Sequence, residues 1–265
     1  LSTGPARYRV SYEGIDDARF DIDAQAIMPA YDIHDSSMDP MAAKTDQDRA
    51  AGSGYGAAYG GHYDQLCRIR GQLTVRGDQD AIVVSGPVRA GSSAIEQVRW
   101  TEHLGRRAGS SSEYQITGDF DANDLERLGY PVAEYAQGRV GVTVTGQGRG
   151  FDVENARIDL NLTQAAVESP WHFWSKRAGV TASARFNVER QRDGSLAFNN
   201  IEARGSGLNM QGRMRLARDN RILEVDLQRL AIEGRSDSRL TAIRAADGGM
   251  DVTVRGALFD AAPFM

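Results

Sequence analysis

Between Arg139 and Phe264 apolar residues recur at every second position, and that period constrains the fold more than any other feature of the chain. Val140, Val142 and Val144 alternate with Gly141, Thr143 and Thr145. A period of two sets one group of side chains on one face of a strand and the other group on the opposite face. The pattern returns in Ile158 to Leu162, Val180 to Val188, Leu208 to Leu216 and Met250 to Val254. Two shorter runs, Val225-Asp226-Leu227 and Leu230-Ala231-Ile232, carry it as well. Arg192-Asp193-Gly194, Arg218-Asp219-Asn220 and Ala246-Asp247-Gly248-Gly249 punctuate the series. Asp-Gly and Gly-Gly supply the positive φ that tight hairpins need. The expectation is a mainly β protein, with a large twisted antiparallel β meander over residues 113–265.

Composition excludes several function classes. The chain has 265 residues and a net charge of −5, whereas binding nucleic acid requires a concentrated basic surface. A single cysteine, Cys67, excludes an internal disulfide framework and a multi-cysteine zinc site. No run approaches the roughly 20 apolar residues of a membrane-spanning helix, and no secretory signal pattern is present. The chain begins at Leu1, which reads as a fragment or a processed segment whose addressing signal, if any, lies elsewhere.

The first 84 residues form a separate, smaller β-rich region in this reading. Tyr8 to Tyr12 and Ala18 to Ile22 alternate as strands around a turn at Glu13-Gly14-Ile15-Asp16, and Gln65 to Val75 alternates again. Met28 to Gly61 reads as a long irregular stretch, of the kind that is functional or disordered. Residues 85–112 read as a transition, a strand and then a loop around Trp100. Tyr114 to Phe120 is then a strand, and Asp121 to Gly129 a short helix. Asp121 can cap that helix, Leu125 and Leu128 face the core, and Gly129 with Pro131 ends it.

Two resemblances follow from these phrases. His62-Tyr63-Asp64-Gln65 followed by Cys67-Arg68-Ile69-Arg70-Gly71 resembles the lipocalin-like relatives of carotenoid 1,2-hydratases, over about residues 5–84. The phrase expected next in that group is absent at Ala81 to Pro87, so no hydratase residue carries over. Over about residues 85–265 the order of phrases resembles the AsmA-like superfamily, in particular its YhdP-type central region. The phrases are Asp121 to Pro131, Gln137-Gly138-Arg139-Val140, Ala156 to Thr163, Trp174 to Gly179, Gly205 to Gly212 and Val254 to Asp260. The domain boundary expected from the two resemblances lies near residue 85.

The second resemblance implies an open, groove-like sheet in the bacterial cell envelope. Such a segment lies on the periplasmic side and is anchored through the remainder of a larger chain. It holds or conducts phospholipid, or another acyl lipid, without catalysis or cofactor. Lining positions are then Val140, Val142, Val144, Ile158, Leu160, Leu162, Val180, Ala182, Phe186, Leu208, Met210, Met214, Val252 and Val254. Arg185, Arg213, Arg215 and Asp226 occupy alternate positions, so the apolar path carries no charge, which would cost several kcal/mol among acyl chains. The aromatic cluster Trp171, Phe173 and Trp174 serves as a plug at one end of the sheet or as a lip of the groove. Two alternatives stand beside this reading: a lipocalin-like enzyme or binder of a small apolar ligand such as a terpenoid, and a structural β scaffold whose apolar face is fully covered.

The residues that superficially suggest other chemistry read more simply. His34, Asp35 and Asp39 sit in the irregular stretch as solvated loop residues. His62 and Asp64 share a strand face, but two ligands do not make a zinc site. Cys67 is a small core residue despite Arg68 and Arg70 beside it. Gly146 to Gly150 reads as a turn between strands and opens no helix, unlike a phosphate loop. Lys176 and Arg177 read as a solvated basic pair.

Overall fold

A computed structural model describes residues 2–12, 18–32, 68–78, 80–105, 110–127, 132–150, 152–169, 172–219 and 221–260, with side chains from Gly71 onward. Fourteen of its strands lie in one open antiparallel sheet, each hydrogen-bonded to the next along a single path. In path order they are β1 (Ser2–Tyr12), β2 (Ala18–Asp32), β3 (Arg68–Gly77), β4 (Ala81–Ala90), β5 (Ser93–His103), β6 (Ser112–Asp121), β7 (Ala136–Arg149), β8 (Asp152–Asn161), β11 (Ala182–Arg190), β12 (Leu196–Gly205), β13 (Leu208–Leu216), β14 (Ile222–Ile232), β15 (Ser236–Arg244) and β16 (Met250–Phe259). Thirteen inter-strand steps of about 4.8 Å make the sheet about 60 Å long in the pairing direction. Two short strands, β9 (Ala165–Glu168) and β10 (Ser175–Lys176), branch from the start of β7. The helix α1 (Ala122–Arg127) follows β6. Among the described residues the architecture is therefore a mainly β meander with one short α-helix.

The N-terminal strands belong to the same sheet. β2 pairs with β3 from Ile22↔Gly77 to Asp32↔Arg68, and β3 pairs with β4 from Ile69↔Ala90 to Gly77↔Ile82. Pairing thus runs without interruption across residue 85. Because β1 and β16 are the two ends of the path, the sheet does not close into a barrel.

Several boundaries differ from the sequence reading, each for a local reason. Met28 to Asp32, expected in the irregular stretch, extend β2 through a register shift at Met28/Tyr31. Residues 85–112 are mostly strand, with β5 bulged between Ile95 and Gln97. Gly146 to Arg149 continue β7, and only Gly150 turns, at φ 60°. The two runs 225–227 and 230–232 form one strand, β14, whose register shifts between Leu227 and Leu230. Val180 precedes β11, and Leu162 follows β8.

Cross-strand register assigns one face to apolar residues throughout. Val84 stands opposite Trp100, Ile116 opposite Val144, Val142 opposite Leu160, and Ile158 opposite Phe186. The series continues with Phe198↔Met214, Met214↔Val225, Leu227↔Leu240 and Leu240↔Val254. The bulges in β5, β12 and β14 preserve it, because each inserts a residue and returns the next apolar side chain to the same side. The opposite face is polar and carries cross-strand ion pairs. Arg185 meets Glu202 at 2.7 Å, and Arg213 meets Asp226 at 3.1 Å. Such exposed pairs contribute at most about 1 kcal/mol each. Their main effect is to keep this side wet and in register.

Candidate functional site

Among the described residues the apolar face is covered along one margin and left uncovered along the other. Two long connections among the described residues, α1 after β6 and the β9–β10 excursion after β8, leave the sheet at the same margin. There α1 lays Leu125 against Val88, Ile95 and Phe120, with Val98, Ile116 and Val142 around them. Phe173 packs on Leu230 and Ile232, with Trp174, Leu208, Met210, Leu227, Leu240 and Phe259 around that group. The rings of Phe173 and Phe259 are 6.0 Å apart. Val140, Ala182, Ala203 and Ala90 are buried at this margin too.

Polar contacts fasten both covers. Asp124 is 1% exposed, and its Oδ2 accepts from the Ser92 and Ser93 amides and hydroxyls at 2.7–2.9 Å. Burial pushes its carboxyl upward, but the Ser92 and Ser93 hydrogen bonds outweigh this and hold it below the ordinary aspartate value. Gly91 makes the close approach feasible: its φ is 62°, and a Cβ there would stand 2.3 Å from Asp124 Oδ1. Asp121 caps α1 by accepting from the Asn123 amide at 3.0 Å. The second cover is held by Trp174, whose Nε1 donates to Ser206 O at 2.8 Å and whose amide donates to Ser169 Oγ at 2.8 Å. Lys176 is buried rather than solvated. Its Nζ donates to the carbonyls of Ala165 at 2.5 Å and Arg177 at 3.2 Å, and burial lowers its pKa. Arg177 is exposed, as expected.

Away from this margin the face is only half shielded. Val75, Val84, Trp100, Val144, Ile158, Phe186, Val188, Phe198, Met214 and Val225 are all of intermediate exposure. In a two-layer sandwich these side chains would be closed off by a second sheet; the described residues place no second layer over them. They form an apolar strip that crosses the described strands from β3 to β16 and reaches Val252, which is 57% exposed.

Of the expected lining residues, Val144, Ile158, Leu160, Phe186, Met214, Val252 and Val254 share this face outside the two covered clusters. Val142, Leu208 and Met210 lie against those clusters, and Val140 and Ala182 are buried. Leu162 and Val180 are in the excursion, Val180 exposed on its surface. Phe173 and Trp174 lie over the apolar face. Trp171, Leu128, His34, Asp35, Asp39, His62, Tyr63, Asp64 and Cys67 lie outside the described residues. The sequence reading missed Val84, Trp100, Phe198 and Val225 as members of the strip. Val225 was read within an alternating run but not placed on the strip, and Phe198 lies at the β12 register shift that obscures its period.

Two clefts lie on the polar face and do not belong to the strip. One, of about 450 Å³, is lined by Asp119, Thr143, Asp159, Asn161, Arg185 and Glu202 among others. The other, of about 780 Å³, is lined by Arg99, Gln115, Thr145, Arg157 and Asn187 among others. Both are shallow troughs between polar side chains. Among the described residues no three His, Cys, Asp or Glu side chains come together as metal ligands, and no helix is long and apolar enough to cross a membrane. Comparison with protein-family models, curated proteins and solved structures gives no match.

Proposed function

We propose that this chain is a non-catalytic segment of a bacterial envelope protein that holds or conducts phospholipid along its apolar sheet face. The observation that carries the reading is the half-shielded apolar strip, continuous over the described strands and free of charge through its middle. Each acyl methylene withdrawn from water against it contributes about 0.8 kcal/mol, so a chain of ordinary length is held without a shaped pocket. Contact of that kind is indifferent to chain position and suits sliding as well as holding. The polar face with its Arg–Glu and Arg–Asp pairs keeps the other side of the sheet in water. A closed lipocalin-like barrel would need β1 to meet its own sheet again, and β1 is an end of the path. A scaffold would need its apolar face covered throughout, whereas the covers formed by the described residues stop at one margin.

The test is titration with a fluorescent fatty acyl probe. The reading predicts enhanced, blue-shifted emission with the parent chain and loss of that signal in Ile158→Asp. Thr143→Asp, which puts the same charge on the polar face, retains it. Equal signals from parent and Ile158→Asp, both folded by circular dichroism, would refute the reading.

A further inference from the structure

We infer that bound phospholipid lies with its acyl chains on the middle of the strip and its phosphate at the uncovered margin, against Arg190 or, four strands along the sheet, against Arg244. This inference rests on the lipid reading and adds an orientation to it. By register, charged residues on the apolar face of the described strands hold only the uncovered margin. Glu102 stands opposite Ile82, Arg190 opposite Leu196, and Arg244 opposite Met250. Glu154 sits beside them, at the register shift between β7 and β8. At the covered margin the polar residues on this face are serines that are already engaged. Ser93 serves Asp124 and the Asp121 amide, and Ser236 bonds Leu230 O and Ser238. A headgroup at that margin would also have to displace Leu125, or Phe173 and Trp174.

The two arginines differ from the acidic groups near them in what they leave free. Arg190 meets Asp152 at 2.5 Å through Nη1 alone. Arg244 donates to the carbonyls of Ile222 at 2.7 Å and Gly248 at 2.9 Å, which neutralise none of its charge. A guanidinium has five N–H donors, so both retain donors in the fork geometry that suits phosphate oxygens. The aspartates of the adjoining hairpins are turned into their own backbones. Asp193 accepts from the Ser195 amide, Asp219 from Arg221, and Asp247 from Gly249. The margin therefore offers cationic donors beside apolar side chains, which complements an anionic phosphate joined to acyl chains.

Photo-crosslinking separates the orientation from the lipid reading. The intact chain is incubated with vesicles containing phosphatidylglycerol that bears a diazirine either at the acyl terminus or on the headgroup, and the adducts are mapped by peptide mass spectrometry. The acyl probe is expected to label the middle of the strip, around Ile158 and Phe186. The headgroup probe is expected to label the hairpins bearing Arg190 and Arg244. The double variant Arg190→Glu, Arg244→Glu is expected to lower headgroup labelling about tenfold or more, in keeping with the loss of charge-assisted hydrogen bonds. Arg190→Lys with Arg244→Lys should recover part of it, and Arg177→Glu at the covered margin should leave it unchanged. Headgroup adducts on residues 172–177 with acyl adducts still on the strip would overturn the orientation and leave the lipid reading standing. No acyl adduct on the strip would overturn both.

Discussion

Asp124 shows how much of this molecule is decided by one side chain. Its carboxylate satisfies two backbone amides and two hydroxyls of the β4–β5 hairpin and so ties α1 to the sheet. Asp124→Ala leaves the buried Ser93 donors and the part-buried Ser92 donors without their acceptor, and is expected to destabilise the chain by about 2–4 kcal/mol in urea unfolding. The pH dependence has a definite sign. The folded carboxyl is held below its unfolded value, so its contribution is fully present above the unfolded pKa of about 4 and is lost as pH falls through the folded value. Asp124→Asn should flatten that part of the acid-unfolding profile. A parent and variant with equal slopes below pH of about 4 would contradict this. Asp121 was legible as a cap because capping is local, two residues from its partner. Asp124 was not, because Ser92 and Ser93 lie about thirty positions away. Nor was the burial of Lys176, whose carbonyl partners depend on how the excursion folds back.

At the scale of elements, the alternation of Val140, Val142 and Val144 identified β7 and its faces without further information. It failed where an inserted residue broke the period. Leu227 and Leu230 lie on one face three positions apart, so one strand read as two short ones. Val180 failed in the opposite way: its sequence continues the alternation of β11, but the chain is still leaving the β9–β10 excursion there. The helix with Leu125 toward the core and the Phe173–Trp174 plug were legible as elements, but where each comes to rest on the apolar face was not, since that depends on residues far apart in sequence. Gly205 is where the second cover is most sensitive, because a Cβ there would stand 2.6 Å from the Trp174 ring. Gly205→Val is expected to displace Trp174 and cost about 1–3 kcal/mol. Acrylamide quenching in a chain whose other tryptophans are replaced by Phe would report the change. An unaltered Trp174 environment would show that the ring does not depend on this contact.

For the whole molecule, the decisive property is asymmetry. One sheet carries most of its charges on one face and its apolar residues on the other, and the described connections cover the apolar face along one margin. The open, mainly β architecture was legible because a period of two, repeated through punctuated segments, permits little else. Which part of the apolar face stays uncovered was not, since that depends on where α1 and Phe173 come to rest. The most direct measurement is native mass spectrometry of the purified chain beside an Ile158→Asp, Phe186→Asp variant and a polar-face control, Thr143→Asp. The account predicts phospholipid-sized adducts on the parent and the control, and their loss from the double variant while its circular dichroism stays β. A folded parent that carries no lipid, even after incubation with phospholipid vesicles, would contradict it.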